Sequence, residues 1–165
     1  MAMHSPHDLF IHELGDIFDA EQKISKMLPT MAQETNHPEV KEGLEKHQQE
    51  TLQQISNLEQ CFQLLGVQPE KSNCSAVAGM KQEHDSFLKE KPSAEILEMY
   101  NLGAAEKTEH YEIASYRGLI DMANLMGQAQ IAQLLGQNLK QEEAMAKGVE
   151  KIAHQLGQQM ISKAK

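Results

Sequence analysis

Apolar residues recur every three or four positions over four long stretches of the chain, which is the spacing of an amphipathic helix. The first stretch runs from about Pro6 to Ala32, and Ser5 followed by Pro6 forms a helix cap and first turn. The second runs from about Pro38 to Leu65 and ends at Gly66, a residue type that often closes a helix. Two long helices joined by a short turn are therefore predicted for the first half of the chain.

The helical rhythm breaks between residues 67 and 92, where only a short helix over about 75–89 fits the pattern. This segment is too long for a simple turn between helices, and it has the length needed to cross from one end of a bundle to the other. The third long stretch is expected to be capped by Ser93 and to end at residues 126–127. The fourth runs from about residue 128 to 160.

The order of these segments predicts an all-α fold. Helix, turn and helix, followed by a crossover and a second such pair, is the plan of an antiparallel four-helix bundle with one long connection, the ferritin-like arrangement. The crossover would contain the short fifth helix. No Gly-rich or Ser-rich linker separates the halves, so we expect a single domain over residues 1–165.

Charge and cysteine content restrict the partners and the compartment. Twenty-four acidic and fifteen basic residues give a net charge of −9, which argues against nucleic acid or an anionic membrane as a partner. The only two cysteines, Cys61 and Cys74, imply no disulfide scaffold; we expect Cys61 to be a small buried hydrophobe and Cys74 a partly exposed thiol. No apolar run is long enough to span a bilayer and no signal segment is apparent, so a cytoplasmic protein is expected.

Glutamates interrupt the apolar faces near the middle of all four long helices. On the predicted boundaries, each of the four midpoints has a glutamate within about two residues: these are Glu21, Glu50, Glu109 and Glu142. Because the midpoints of antiparallel helices lie at the same height, we expect these carboxylates to converge in one layer of the core. Burial and mutual repulsion raise the pKa of such groups, so four together need either protons or cations.

A pair of metal ions would neutralise this layer, because carboxylates with some imidazole suit Fe or Mn better than Zn. His47 precedes Glu50 by one turn and is a candidate nitrogen ligand; alternatively it hydrogen-bonds Glu50 and holds it in place. Glu106, one turn before Glu109, either binds metal or extends the network. The candidate metal ligands are therefore Glu21, His47, Glu50, Glu109 and Glu142, with Glu106 as an additional candidate. A structural polar layer without metal is the alternative.

Other polar residues are expected around this layer. Gln54, one turn after Glu50, is positioned to bond a ligand oxygen, and Tyr111 and Tyr116 are candidate hydrogen-bond donors or redox-active phenols. Six further histidines lack a clustered carboxylate at fitting spacing and are expected at the surface: His4, His7, His12, His37, His84 and His154.

Several segments of the chain resemble the YciF-like family of bacterial stress proteins, a ferritin-like family. These segments are HQQETLQQISNLE (47–59), NCSAVAGM (73–80), EHYEIASY (109–116), DIFDAEQKI (16–24) and LLGQNLKQEE (134–143). The resemblance covers essentially the whole chain and implies a four-helix bundle with an added short helix, a homodimer and a dimetal-carboxylate centre akin to that of rubrerythrin. It implies ligand roles for Glu21, His47, Glu50, Glu109 and Glu142.

The sequence departs from the common ferritin-like pattern, in which His follows Glu by three residues on two helices. Gln53 stands three residues after Glu50, and Met145 stands three residues after Glu142. Ala146 occupies a place where family members often carry an acidic residue. These departures reduce the number of ligands and predict weak metal affinity or a vestigial site.

Two functions remain open at this point. The first is metal or oxidant handling, in which two Fe or Mn ions react with a small oxidant such as oxygen or peroxide, as in a dimetal-carboxylate oxidoreductase; no catalytic residue is assigned. The second is a non-enzymatic, dimeric stress or interaction scaffold with a metal-free polar core. A storage cage is disfavoured, because nothing in the sequence encodes a shell contact.

Overall fold

The computed structural model describes residues 3–69 and 72–163, which form five helices and no strand. The helices are α1 (Pro6–Glu34), α2 (Pro38–Leu65), α3 (Ser75–Lys89), α4 (Ala94–Leu125) and α5 (Ala129–Lys163). The predicted all-α class and the short crossover helix are confirmed. Within the described residues, no helix combines the length and the apolar character needed to cross a membrane.

Local sequence explains where these helices begin and end. The Ser5 hydroxyl accepts a hydrogen bond from the backbone N–H of Asp8, and the Asp8 carboxylate accepts one from the backbone N–H of Ser5. Ser93 caps α4 by accepting a hydrogen bond from the backbone N–H of Ile96. Gly66 ends α2 with a φ of 69°, a left-handed conformation that glycine adopts at little cost. The predicted caps are therefore confirmed.

The four long helices form the bundle, and each lies antiparallel to its two neighbours. α1 packs against α2 and α4, and α5 packs against the same two helices. In the α2–α5 pair, Gln54 contacts Glu142 whereas Asn57, later in α2, contacts Asn138, earlier in α5. This arrangement brings the middles of all four helices to one level.

Apolar side chains fill the bundle above and below that level. Phe10, Phe62 and Leu135 are fully or almost fully buried, and Phe18 packs edge-on against Phe62 with ring centroids 5.6 Å apart. Each large side chain buried in this way contributes about 1.5–3 kcal/mol to folding.

α3 lies across the groove between α1 and α4 and buries only Val77 and His84. Its N-terminal end is fixed to α1, because the backbone N–H of Cys74 donates to the Asp19 carboxylate at 2.7 Å. The Lys23 ammonium adds a hydrogen bond to the carbonyl oxygen of Cys74 at 3.0 Å. α3 is therefore held down at its start by polar contacts rather than by a broad apolar face.

The C-terminal half of α3 is fixed by His84. Its Nε2 lies 3.0 Å from Oε2 of Glu34, and the Asn101 amide donates to the same oxygen at 3.0 Å. The expectation that His84 lies at the surface is wrong, because α1 supplies a carboxylate that compensates its burial. The expected partial exposure of the Cys74 thiol is also wrong; this residue is buried, with Sγ 3.1 Å from the Tyr111 hydroxyl.

Candidate metal centre

The middle of the bundle holds a cluster of four glutamates and one histidine, which we call the acidic layer. Its members are Glu21 from α1, His47 from α2, Glu109 and Glu112 from α4, and Glu142 from α5, and all five are buried. One ligand atom from each of His47, Glu109, Glu112 and Glu142 can be chosen so that all four atoms lie within 4.8 Å of one another. This compact group takes its members from α2, α4 and α5, and Glu21 of α1 lies close enough for the charge of Glu142 to raise its pKa.

The imidazole of His47 links helices that face each other across the bundle. Its Nε2 lies 3.2 Å from Oε1 of Glu109. Among the described residues, no lysine or arginine pairs with a carboxylate of the acidic layer, and the His47 imidazole is the one basic group within 4.0 Å of such a carboxylate. One imidazole cannot balance four carboxylates, so the layer needs further positive charge or bound protons.

Neutral side chains orient two carboxylates of the layer. The Gln54 amide donates a hydrogen bond to Glu142, and the Tyr116 hydroxyl donates one to Glu21. The Asn138 amide in turn donates to the Tyr116 oxygen at 3.1 Å and to the backbone carbonyl of Gln54 at 3.3 Å. The expected contact of Gln54 with a candidate ligand and the donor role of Tyr116 are both confirmed as hydrogen bonds.

Most of the inward-facing lone pairs in the acidic layer have no partner. The buried atoms without a hydrogen bond are Oε2 of Glu21, Glu109 and Glu142, both carboxylate oxygens of Glu112, and Nδ1 of His47. Nε2 of His47 lies 3.2 Å from Oε1 of Glu109 but is not aligned for a hydrogen bond. Leaving a polar atom buried without a partner costs about 1–3 kcal/mol. Carboxylate oxygens with an imidazole nitrogen are the donor set that Fe and Mn accept, so these residues fit such ions.

The carboxyl groups of the layer bind protons more tightly than ordinary glutamates. Burial raises the pKa of Glu21 to about 8, with a further increase from the charge of Glu142 and a decrease from the Tyr116 hydrogen bond. Burial likewise raises the pKa of Glu109 to about 7 and that of Glu142 to about 9. Burial, followed by the charges of Glu21 and Glu142, raises the pKa of Glu112 well above its usual range. Without metal, bound protons would relieve the mutual repulsion of these carboxylates.

Of the candidate ligands predicted from the sequence, four come together in the acidic layer: Glu21, His47, Glu109 and Glu142. Glu50 lies at the margin, where its side chain is 22 % exposed and its Oε1 is 3.1 Å from the Lys46 ammonium. The charge of Glu50 is still close enough to raise the pKa of Glu109. Glu106 is half-buried and is not part of the cluster. Binding of metal by any of these residues stays a prediction.

Sequence reasoning missed Glu112. This residue follows Glu109 by three positions, so both carboxylates point from the same side of α4 into the bundle. A ferritin-like helix often carries two ligands three residues apart. The spacing of Glu109 and Glu112 could therefore have identified Glu112 from the sequence. The common pattern predicts a histidine three residues after Glu50 and Glu142, where Gln53 and Met145 stand instead.

Known proteins resemble this chain over most of its length. The family model described as "Domain of unknown function (DUF892)" matches residues 5–162. Protein YciF of Escherichia coli (strain K12) is 30% identical over 145 residues, which cover 87% of each chain. The crystal structure of the E. coli stress protein YciF matches 94% of this chain and 99% of its own, with a TM-score of 0.90 and 28% identity. The structure of YcfI from Rhodopseudomonas palustris, described as a candidate structural protein, matches 89% of this chain and 94% of its own. Its TM-score is 0.86 and its sequence identity is 36%.

Proposed function

The chain belongs to the DUF892 family, and on that premise we propose that it is a stress-associated protein whose acidic layer binds two metal ions, iron or manganese. The description of the E. coli relative as a stress protein supports the first part. One observation carries the second part: three buried carboxylates and an imidazole converge beside a fourth buried carboxylate, Glu21, and most of their inward lone pairs are unpaired. Metal ions would satisfy these atoms and neutralise the layer at once.

The proposed ligands are Glu21, His47, Glu109, Glu112 and Glu142, with Glu50 as an additional ligand at the margin. Hydrogen bonds from Gln54 and Tyr116 hold two of these carboxylates in fixed orientations, which is the usual role of groups around a metal site. Bound Fe or Mn would supply Lewis-acid and redox chemistry toward a small oxidant such as oxygen or peroxide. The part played by the chain is to orient the ligands and to gather them in a buried layer.

Metal ions must compete with protons for this site. Burial raises the pKa values of Glu109, Glu21 and Glu142 to about 7, 8 and 9, so each ion displaces protons when it binds at neutral pH. Metal affinity should therefore increase with pH across this range. The same competition explains how an oxygen-rich site with several ligands could still have modest affinity.

Metal analysis of the purified chain tests the proposal. The protein is prepared without chelator, loaded anaerobically with Fe(II) or Mn(II), desalted and measured by mass spectrometry. We expect about two ions per chain. Glu112→Gln should reduce this number, whereas Glu143→Gln should not, because Glu143 is paired with Arg117 at the surface. Less than about a tenth of an ion per chain after loading would contradict a two-ion site.

A second candidate function is a non-enzymatic scaffold in which the acidic layer stays protonated and metal-free. It is favoured by the absence of the expected histidines at positions 53 and 145, and by the description of the R. palustris relative as a candidate structural protein. In that case Glu142→Gln would raise thermal stability and added metal would change nothing. For either function we propose a cytoplasmic homodimer, as the family resemblance implies, and analytical ultracentrifugation measures the assembly state.

A further inference from the structure

A cavity of about 390 Å³ lies beneath α3, between α1 and α4, and reaches inward to the acidic layer. This volume is within the ~300–1,000 Å³ range of pockets that hold small organic molecules. The side chains along its length are mainly apolar, and they include Ile24, Met27, Leu28, Met31, Val77 and Leu88. An occupant of this cavity must therefore be largely apolar itself.

The inner end of the cavity is polar and belongs to the acidic layer. His47 and Glu109 line it, with exposed fractions of only 1% and 2%. Nδ1 of His47 and Oε2 of Glu109 have no hydrogen-bond partner. The outer rim carries the exposed residues Lys26, Thr30 and Lys81, so the cavity runs from solvent to the candidate metal centre.

We propose that this cavity binds an unbranched, medium-length aliphatic molecule that ends in a single oxygen function. The oxygen would lie at His47 and Glu109, and the carbon chain would run along the apolar wall toward the rim. Methionines at positions 27, 31, 80 and 145 give this wall flexible side chains that can adapt to a linear chain. A highly charged or branched sugar-like molecule would find no partners along most of the cavity.

The choice of head group rests on the proposed function. With metal ions bound at the inner end, a carboxylate head is favoured, because it can be attracted by and coordinate to the ions. Without metal, a carboxylate would meet the acidic layer and be repelled, so a neutral alcohol is favoured. The apolar part of the site is the same in both states.

Isothermal titration calorimetry on the full chain, with 1-octanol and octanoate as probes, tests the inference in chelator and after Mn(II) loading. We expect saturable binding of 1-octanol in chelator, and an increase of about tenfold or more in octanoate affinity after loading. Ala104→Phe fills the cavity from α4 and should weaken both probes about tenfold or more. Ala114→Phe, at an exposed position of the same helix, is the matched control and should change neither affinity.

A second filling variant, Ala78→Phe on α3, guards against failure of Ala104→Phe to fold, and circular dichroism verifies the helical content of each variant. Absence of saturable binding, or binding that both filling variants leave unchanged, would overturn the inference. If 1-octanol binds in the cavity but Mn(II) does not bind, the inference stands for the neutral head group while the proposed metal function fails. If no probe binds and a filling variant instead shifts a dimer to a monomer, the cavity is covered by a second copy and the inference is wrong.

Discussion

The Tyr116 hydroxyl on α4 donates a hydrogen bond to Oε1 of Glu21 on α1, and both residues are completely buried. The Asn138 amide from α5 donates to the same hydroxyl, so three helices meet at one phenol. Because the bond stabilises the charged form of Glu21, it lowers the pKa of this carboxyl against the increase caused by burial. Tyr116 therefore connects the packing of the bundle to the ionisation of the acidic layer.

Tyr116→Phe should lower the free energy of unfolding by about 1–3 kcal/mol, because it removes the donor to Glu21 and the acceptor of Asn138. It should also weaken metal binding, since Glu21 loses the group that orients it. Urea denaturation and Mn(II) titration measure the two effects. Tyr111→Phe is the control, because its hydroxyl bonds Asp16 outside the layer and its loss should leave metal affinity unchanged. Equal metal affinities for both variants and the unaltered chain would contradict the role of Tyr116.

In chelator, the free energy of unfolding should decrease as the pH rises from about 5 to about 9. The pKa values of Glu109, Glu21 and Glu142 are raised to about 7, 8 and 9 in the folded state, against 4.5 for the ordinary side chain. Between these limits the folded chain holds more protons than the unfolded chain, so a higher pH favours unfolding. The stabilisation that comes from these protonated groups is complete below the pKa of the unfolded chain. It is lost as the pH rises through the pKa values of the folded chain.

Denaturant titrations at several pH values across this range measure the effect, and Mn(II) provides the comparison. With metal present, the decline should be smaller or reversed, because deprotonated carboxylates bind the ions more tightly. A free energy of unfolding that rises with pH in chelator would show that the acidic layer is ionised without metal.

Glu112→Gln and Glu50→Gln should separate the buried ligand from the marginal one. A ligand at a hundredfold excess over its Kd stabilises a protein by about 2.7 kcal/mol, which is about 5–10 °C in Tm for a chain of this size. Glu112→Gln should abolish most of this metal-dependent increase, whereas Glu50→Gln should retain more than half of it, because Glu50 is partly exposed and paired with Lys46. Differential scanning fluorimetry with and without Mn(II) measures both, and equal losses would contradict the assignment.

Gly66→Ala should destabilise the chain by about 1–2 kcal/mol, because Gly66 has a positive φ of 69° that an L-residue with a Cβ adopts only with strain. Gly79→Ala, in the exposed face of α3, is the matched comparison. No atom lies within 4 Å of the added Cβ there, so the better helix propensity of alanine should stabilise the chain by about 0.5–1 kcal/mol. Thermal denaturation measures the change in stability for both variants. We expect a lower Tm for Gly66→Ala and a higher Tm for Gly79→Ala.

The helices and their ends could be predicted because they depend on neighbours in the sequence. Ser5, Ser93 and Gly66 each act within one turn of their own position, and each was identified correctly. The convergence of Glu21, Glu109 and Glu142 also followed from the sequence, because the height of a residue in an antiparallel bundle depends mainly on its distance from the helix ends.

Features that depend on the rotation of one helix against another were harder to predict. Glu50 and Glu112 are both near the middle of a helix, yet only Glu112 is turned fully into the bundle. A rotation of a fraction of a turn decides between these outcomes, and the local pattern does not fix it. His84 was misjudged for a related reason: its burial depends on Glu34, fifty residues away, and on the path of α3 across the bundle.

The acidic layer also restricts which alignment of the helices the chain can adopt. Shifting α5 by one turn along α2 would separate Glu142 from Gln54 and Asn138 from Asn57. It would move these polar groups into the leucine- and phenylalanine-rich levels, where a buried carboxylate without partners costs several kcal/mol. A bundle lined only by aliphatic side chains would tolerate such sliding far more easily. The polar side chains whose burial is unfavourable thus select a single alignment of the helices along the bundle axis.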